Sequence, residues 1–194
     1  MRPAHAQLFA LLRSLAPVPA DALAALERLL VARSFPRDGW LLRAGERAEL
    51  SFFIVRGLVR EYYTDREGTE HTRTFLTEGQ LTGSLIDLIS GAPAVTWIQA
   101  LEPTDTVAFR YRDFEALLDR YPPLERCARR FAEGLYLRKV GRERDMLALT
   151  AEQRHTEWLA EHGPLDGRLR RRDVASYLGV TPEHLSRLRR RRGR

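Results

Sequence analysis

RRRDVASYLGVTPEHLSRLRRRRGR, running from Arg170 to Arg194, reads as two short helices joined by a tight turn and followed by an arginine tail. Ala175 is small enough to let a second helix approach closely. Gly179, four residues on, falls where the first helix must end, because the left-handed residue that closes a helix is easiest for glycine. Val180 can then tuck into the gap between the helices. Thr181-Pro182-Glu183 is a helix start. It supplies a hydroxyl to cap free N–H groups, a proline where no N–H is missed, and an acid against the positive helix end. Leu185 and Leu188 lie three apart on one face, placed to pack on Val174, Ala175 and Leu178. The opposite face offers Glu183, Ser186, Arg187 and Arg190. That is the layout of a helix-turn-helix whose second helix is presented to a DNA major groove.

The charge is distributed to suit that element. The 194 residues carry a formal +6, yet Pro164 to Arg194 alone holds ten arginines against Asp166, Asp173 and Glu183. The remainder has 22 basic and 23 acidic groups. Basicity confined to one end implies a polyanion partner for that end alone. With 44% hydrophobic and 30% charged residues the chain has the composition of a folded protein and the length to bury a core. No apolar run approaches the roughly 18 residues that span a bilayer, so no membrane partner is expected. Leu8, Leu11, Leu12 and Leu15 recur at helical spacing and are interrupted by Arg13, which favours an amphipathic helix over an export signal. The single Cys127 excludes an intrachain disulfide framework and a four-cysteine metal or iron–sulfur site. A cytoplasmic protein without a bound cofactor is expected.

In chain order, residues 4–15 suggest a first helix and Pro19 to Ala32 a second, with a breaker at Ser34 to Gly39. Strand-like runs then follow: Trp40 to Arg43, Phe52 to Val55, Leu58 to Thr64, Thr69 to Leu76, Val95 to Ala100 and Thr106 to Tyr111. Glycines at 45, 57, 68 and 79 recur every eleven or twelve residues, the rhythm of an antiparallel barrel or jelly roll. Phe114, Leu117 and Leu118 mark a short helix before Pro122-Pro123. Leu124 to Leu149 reads as one long helix with a seam of Leu124, Cys127, Phe131 and Leu135, suited to dimerisation. Thr150 to Gln153 is a capping-box-like start to a further helix reaching Glu161. The fold class is therefore α+β. Its expected segments are 1–121 (helices and an antiparallel β-roll or jelly-roll sensor), 122–149 (the dimerisation helix) and 150–194 (the helix-turn-helix).

An N-terminal roll, a long helix and a C-terminal helix-turn-helix in this order resemble the Crp/Fnr family of bacterial transcription regulators. Leu42-Arg43-Ala44-Gly45-Glu46, Phe53 to Arg60 and Glu67-Gly68-Thr69-Glu70 look like the family's cyclic-nucleotide-binding-type roll, and Asp173 to Arg187 is the most specific match. The resemblance implies a homodimer that binds double-stranded DNA at a two-fold symmetric operator and works with RNA polymerase. It places base reading at Pro182, Glu183 and Arg187. Arginine can bond guanine O6/N7 and glutamate can accept from cytosine N4, but Pro182 cannot read a base by hydrogen bond. Thr181, His184, Ser186, Arg189, Arg190, Arg191 and Arg192 are then phosphate or auxiliary contacts. The family's cyclic-AMP positions fall at Gly83, Ser84, Leu85, Ala94 and Val95, without its ribose-holding glutamate or its phosphate-holding arginine. A cyclic nucleotide should bind poorly there, because charge-assisted contacts are the strong ones. The family's wing after the recognition helix is also missing from the sequence, with Arg189–Arg192 and Arg194 standing in its place.

Milder readings stand beside these. Cys127 suits packing in a dimer interface better than redox sensing. His71 is an ordinary strand histidine, and Glu152, His155 and His162 make a weak metal pattern. The aromatics Phe52, Phe53, Tyr62, Tyr63, Phe75 and Trp97 are strand alternation, or else line an apolar pocket for an unidentified small-molecule effector. No phosphate loop, Gly-x-Ser-x-Gly elbow or His-rich metal motif is present, so an enzyme is not expected. The reading that emerges is a homodimeric, sequence-specific DNA-binding regulator controlled by a signal other than cyclic AMP. The alternative is a ligand- or protein-binding roll with a nonspecific basic tail.

Overall fold

The computed structural model describes residues 3–192, so Gly193 and Arg194 of the expected tail lie outside it. Two compact units emerge. The first comprises the residues up to Glu61 with Phe75–Gly134, and the second comprises Tyr62–Thr74 with the residues from Leu135 on. This differs from the three expected segments. The long helix is shared between units, and part of the roll groups with the helix-turn-helix.

In the first unit, α1 (Pro3–Leu15) and α2 (Ala20–Glu27) turn leucines inward, as their spacing predicts. Leu8, Phe9, Leu12, Leu23 and Leu26 form one core with Phe53, Leu124 and Cys127. The second helix stops short of the expected Ala32, and Val31–Phe35 is a strand, β1. The reason is non-local. Val31 stands opposite Ala108 and Phe35 opposite Thr104 on β8 (Thr104–Arg110), and an antiparallel ladder outweighs the local leucine spacing.

The other strands are β2 (Trp40–Leu42), β3 (Leu50–Arg56), β4 (Val59–Thr64), β5 (Glu70–Leu76), β6 (Leu81–Thr82) and β7 (Trp97–Ala100). They form two four-stranded sheets, β1-β8-β3-β6 and β2-β7-β4-β5. The first sheet is antiparallel throughout, as is the pairing of β2 with β7. Leu42, Ile54, Val59, Ala94 and Ile98 make a second apolar cluster. Between β3 and β4 the chain turns at Gly57, where φ is 116° and a Cβ would come within 2.4 Å of the Thr104 hydroxyl. Only glycine fits there. A six-residue helix, α3 (Leu85–Ser90), was not expected from the sequence.

After α4 (Tyr111–Arg120) comes α5 (Pro122–Ala148), 27 residues long. Here the expected dimer seam needs correction. Leu124 is 0% and Cys127 1% exposed, and the Cys127 thiol donates to the Leu12 carbonyl at 3.3 Å. Both belong to the chain's own core, and burial pushes the thiol pKa up. Phe131 and Leu135, on the same face at helical spacing, are half-buried. Four exposed apolar residues of α5 lie on the opposite face: Tyr136 at 65%, Leu137 at 69%, Val140 at 42% and Leu147 at 82%, while Met146 at 40% falls nearer the Leu124 side.

In the second unit, α6 (Ala151–His162) opens with the expected capping box, Thr150 and Gln153 each bonding the other's backbone N–H. A short 3-10 turn, Gly163–Leu165, leads on toward α7 (Arg171–Leu178) and α8 (Pro182–Arg192). Trp158, Leu169, Val174, Ala175, Leu178, Leu185 and Leu188 are buried. Among the described residues no helix is long and apolar enough to cross a membrane.

Candidate nucleic-acid interface

The turn between α7 and α8 is built by its local residues. Gly179 closes α7 in the left-handed region at φ 66°, and the Val180 N–H reaches back to the Ala175 carbonyl at 3.0 Å. The Thr181 hydroxyl then accepts from the His184 N–H at 3.2 Å, so Thr181 caps α8 and Pro182 takes its first position. Leu185 and Leu188 point inward at 0% and 5% exposure. By helical spacing this leaves Glu183, Arg187 and Arg190 together on the outer face, and all three are exposed.

The Glu183 carboxylate is held below the usual glutamate range, chiefly by its own backbone N–H, then by the Thr181 hydroxyl and the Arg187 charge. It is therefore an ionised acceptor, the state needed to receive a cytosine N4 donor. Arg187 offers the matching fork of donors for guanine. Ser186 donates to the Pro182 carbonyl at 2.9 Å, so its proton is engaged within its own helix. His184 is half-buried. Arg190 keeps an exposed head with one bond of 3.4 Å to the Ser186 carbonyl, and Arg191 is exposed. Arg192 is the last residue of α8.

Arg189 departs from expectation. Its guanidinium is bonded to the Asp166 carboxylate and is 28% exposed, so it ties α8 to the preceding loop rather than facing outward as a phosphate contact. The cause is its place immediately after Leu188, on the flank of the buried stripe.

Three side chains that support the motif carried no signal in the sequence. Arg142 of α5 stacks on the Tyr177 ring at 3.8 Å and donates to the Tyr177 carbonyl. Arg154 of α6 donates to the Leu178 carbonyl at 3.0 Å and to the Leu149 carbonyl at 2.6 Å. The two guanidiniums thus satisfy the carbonyls that the end of α7 leaves open, where positive charge also suits the helix dipole. Ser176 of α7 makes two bonds to β5: it accepts from the Thr72 N–H and donates to the Glu70 carbonyl, both at 2.8 Å. Apart from the Arg154–Leu149 bond, these partners stand 24 to 106 residues apart, beyond the reach of any local pattern.

His162 stacks on Trp158, with ring centroids 6.1 Å apart, and meets the Tyr177 ring at a tilt, 5.8 Å away. Burial, with help from Arg142, lowers its pKa below 6.5 against the opposing effect of Glu161. Among the described residues no group of three or more His, Cys, Asp or Glu is placed to hold a metal. His71 is exposed and bonded to Asp65 at 2.8 Å.

In the roll, the positions expected to form an altered effector pocket are differently engaged. Ser84 is 0% exposed and its hydroxyl bonds that of Thr96 at 2.8 Å. A Cβ on Gly83 would press on the Leu50 carbonyl at 3.2 Å. Leu85 begins α3, Ala94 lies in the apolar core and Val95 is 56% exposed. None of the five carries charge. The Val95 N–H reaches the buried Asp87 carboxylate at 3.4 Å, and the other oxygen of that carboxylate, Oδ2, has no hydrogen-bond partner among the described residues.

The family model described as cyclic nucleotide-binding domain matches residues 32–121. The cAMP-activated global transcriptional regulator CRP of Pasteurella multocida is 28% identical over 90 residues, 46% of this chain and 43% of that protein. The fumarate and nitrate reduction regulatory protein of Yersinia pestis is 27% identical over 163 residues, 76% of this chain and 63% of that one. The chain thus spans less than half the length of the first relative and under two thirds of the second. The structure of FixK2 from Bradyrhizobium japonicum superposes with a TM-score of 0.75 at 22% identity, covering 84% of this chain and 83% of that one. The fold is shared.

Proposed function

We propose, for a chain that belongs to the Crp/Fnr family, that it is a homodimeric, sequence-specific DNA-binding transcription regulator. The matched relatives are regulators rather than enzymes, which supports the same class of function. One observation carries the reading. The Thr181-capped helix α8 turns Leu185 and Leu188 inward and presents Glu183, Arg187 and Arg190 outward. An ionised acceptor and a fork donor four residues apart on an exposed face suit the edges of two neighbouring base pairs. Two copies pair through the exposed face of α5, Tyr136, Leu137, Val140 and Leu147, and set two recognition helices about 34 Å apart. RNA polymerase is the further partner of such a regulator.

The signal at the roll is not a cyclic nucleotide held by charge. An anionic phosphate needs a positive partner, and Ser84, Ala94 and Val95 offer an engaged hydroxyl and two apolar side chains. The test is a gel-shift competition with the full chain. Operator-bearing genomic fragments should survive a large excess of random duplex. Equal displacement of both would leave only a roll with a basic tail.

A further inference from the structure

Resting on the DNA-binding reading, we infer that the hairpin of β4 and β5 is an acidic stop that stands against the helix starts flanking the exposed reading face of the helix-turn-helix and must leave before a duplex can seat there. The hairpin residues Tyr62–Thr74 form one compact unit with α6, α7 and α8. Thr69, Glu70 and His71 at its tip make one wall of an open cleft. The facing wall includes Arg172 in the first turn of α7 and Thr181 and Pro182 at the start of α8. Those are the helix starts that a phosphate backbone approaches, because their free N–H groups and dipoles attract anions.

The charge of the tip decides between obstruction and assistance. From Asp65 to Glu70 it holds three carboxylates, Asp65, Glu67 and Glu70, against Arg66 alone. His71 pairs with Asp65, and that hydrogen bond holds the Asp65 carboxyl below its usual range and so ionised. An acidic loop repels a duplex lying against it, while it suits a face that otherwise attracts phosphate. The hairpin therefore stands, with the sign of DNA, against the helix starts that a phosphate backbone would approach, while Glu183, Arg187 and Arg190 stay exposed.

Its latch is small. Ser176 accepts from the Thr72 N–H and donates to the Glu70 carbonyl, and Arg142 adds a bond of 3.5 Å to the Thr72 carbonyl. One hydroxyl thus satisfies two backbone groups of β5 that solvent would otherwise satisfy. Such exchange has a small net free energy, which makes the closed arrangement reversible. The same Arg142 stacks on Tyr177, so a shift of α5 would disturb the latch and α7 together.

The test uses the full chain and a fluorescein-labelled 30-base-pair duplex of random sequence at low salt. Ser176→Ala should tighten binding by about five- to tenfold, the scale of one or two hydrogen bonds biasing a two-state equilibrium. In the unaltered chain, amide exchange at Thr72 should be slow without duplex and fast at saturation. Weaker binding by Ser176→Ala, or Thr72 protection that survives saturation, overturns the stop and makes the hairpin part of the bound surface. If neither protein binds any duplex, the DNA-binding reading itself fails, and this outcome is distinct from the other two.

Discussion

Replacing Leu137 by aspartate tests which face of α5 joins two copies. Leu137 is 69% exposed and, with Val140 and Leu147, forms a stripe spaced three and seven residues apart. Fully burying a leucine is worth about 1.5–3 kcal/mol relative to leaving it in water, so covering the exposed part of Leu137 is worth ~1–2 kcal/mol. A two-fold interface counts each residue twice. Loss of that burial at both copies removes ~2–4 kcal/mol, and the introduced carboxylate adds a desolvation penalty. At about 1.4 kcal/mol per tenfold, the dissociation constant should rise at least thirtyfold to a thousandfold. Leu124→Ala is the control. Leu124 is 0% exposed inside the first unit, so this change should lower thermal stability by ~2–5 kcal/mol and leave association of the folded protein unchanged. Sedimentation velocity across a concentration series reads the first effect, and calorimetry the second. If Leu137→Asp associates as the unaltered chain does, the exposed stripe is not the interface.

Three further outcomes follow from the second unit. Gly179→Ala should cost ~1–2 kcal/mol of its stability, because the residue stands at φ 66°. The added Cβ meets only the flexible end of Met146 at 2.8 Å, so Met146→Ala should recover little in a thermal melt. Arg187→Ala should relax discrimination at one base pair by ~1–3 kcal/mol, whereas Arg189→Ala should lower stability and leave the salt dependence of duplex binding unchanged. His162 gives a pH dependence. Its folded pKa lies below the unfolded value near 6.5, so its contribution is complete above that pH and is lost as pH falls through the folded value. The melting temperature should drop from pH 7.5 to 5.5, and His162→Phe should flatten that drop.

Local chemistry made much of this molecule legible. Gly179, Thr181 and Pro182 each do what their side chains dictate, and the glycines at 45, 57, 68 and 79 all take the positive φ that closes a turn. Thr150 and Gln153 announce α6. What escaped is set by contacts distant in sequence. Val31 and Ala32 continue the apolar helical spacing of the leucines before them, and only pairing with β8 makes Val31–Phe35 a strand. The long helix has apolar residues on two faces, Leu124-Cys127-Phe131-Leu135 and Tyr136-Leu137-Val140-Leu147. Periodicity does not say which one α1 will cover. Arg189 reads as one more basic residue of a tail, and only Asp166, 23 residues away, turns it into a tie within the fold. Nothing in the run from Tyr62 to Thr74 marks it as a neighbour of α7.

The central claim is that two copies of α8 read DNA as a symmetric pair. Hydroxyl-radical footprinting of a genomic fragment selected by the full chain tests it most directly. The account predicts two protected blocks over a two-fold symmetric sequence, centred one duplex turn, roughly 34 Å, apart. A single block, or protection that follows no sequence, would contradict it.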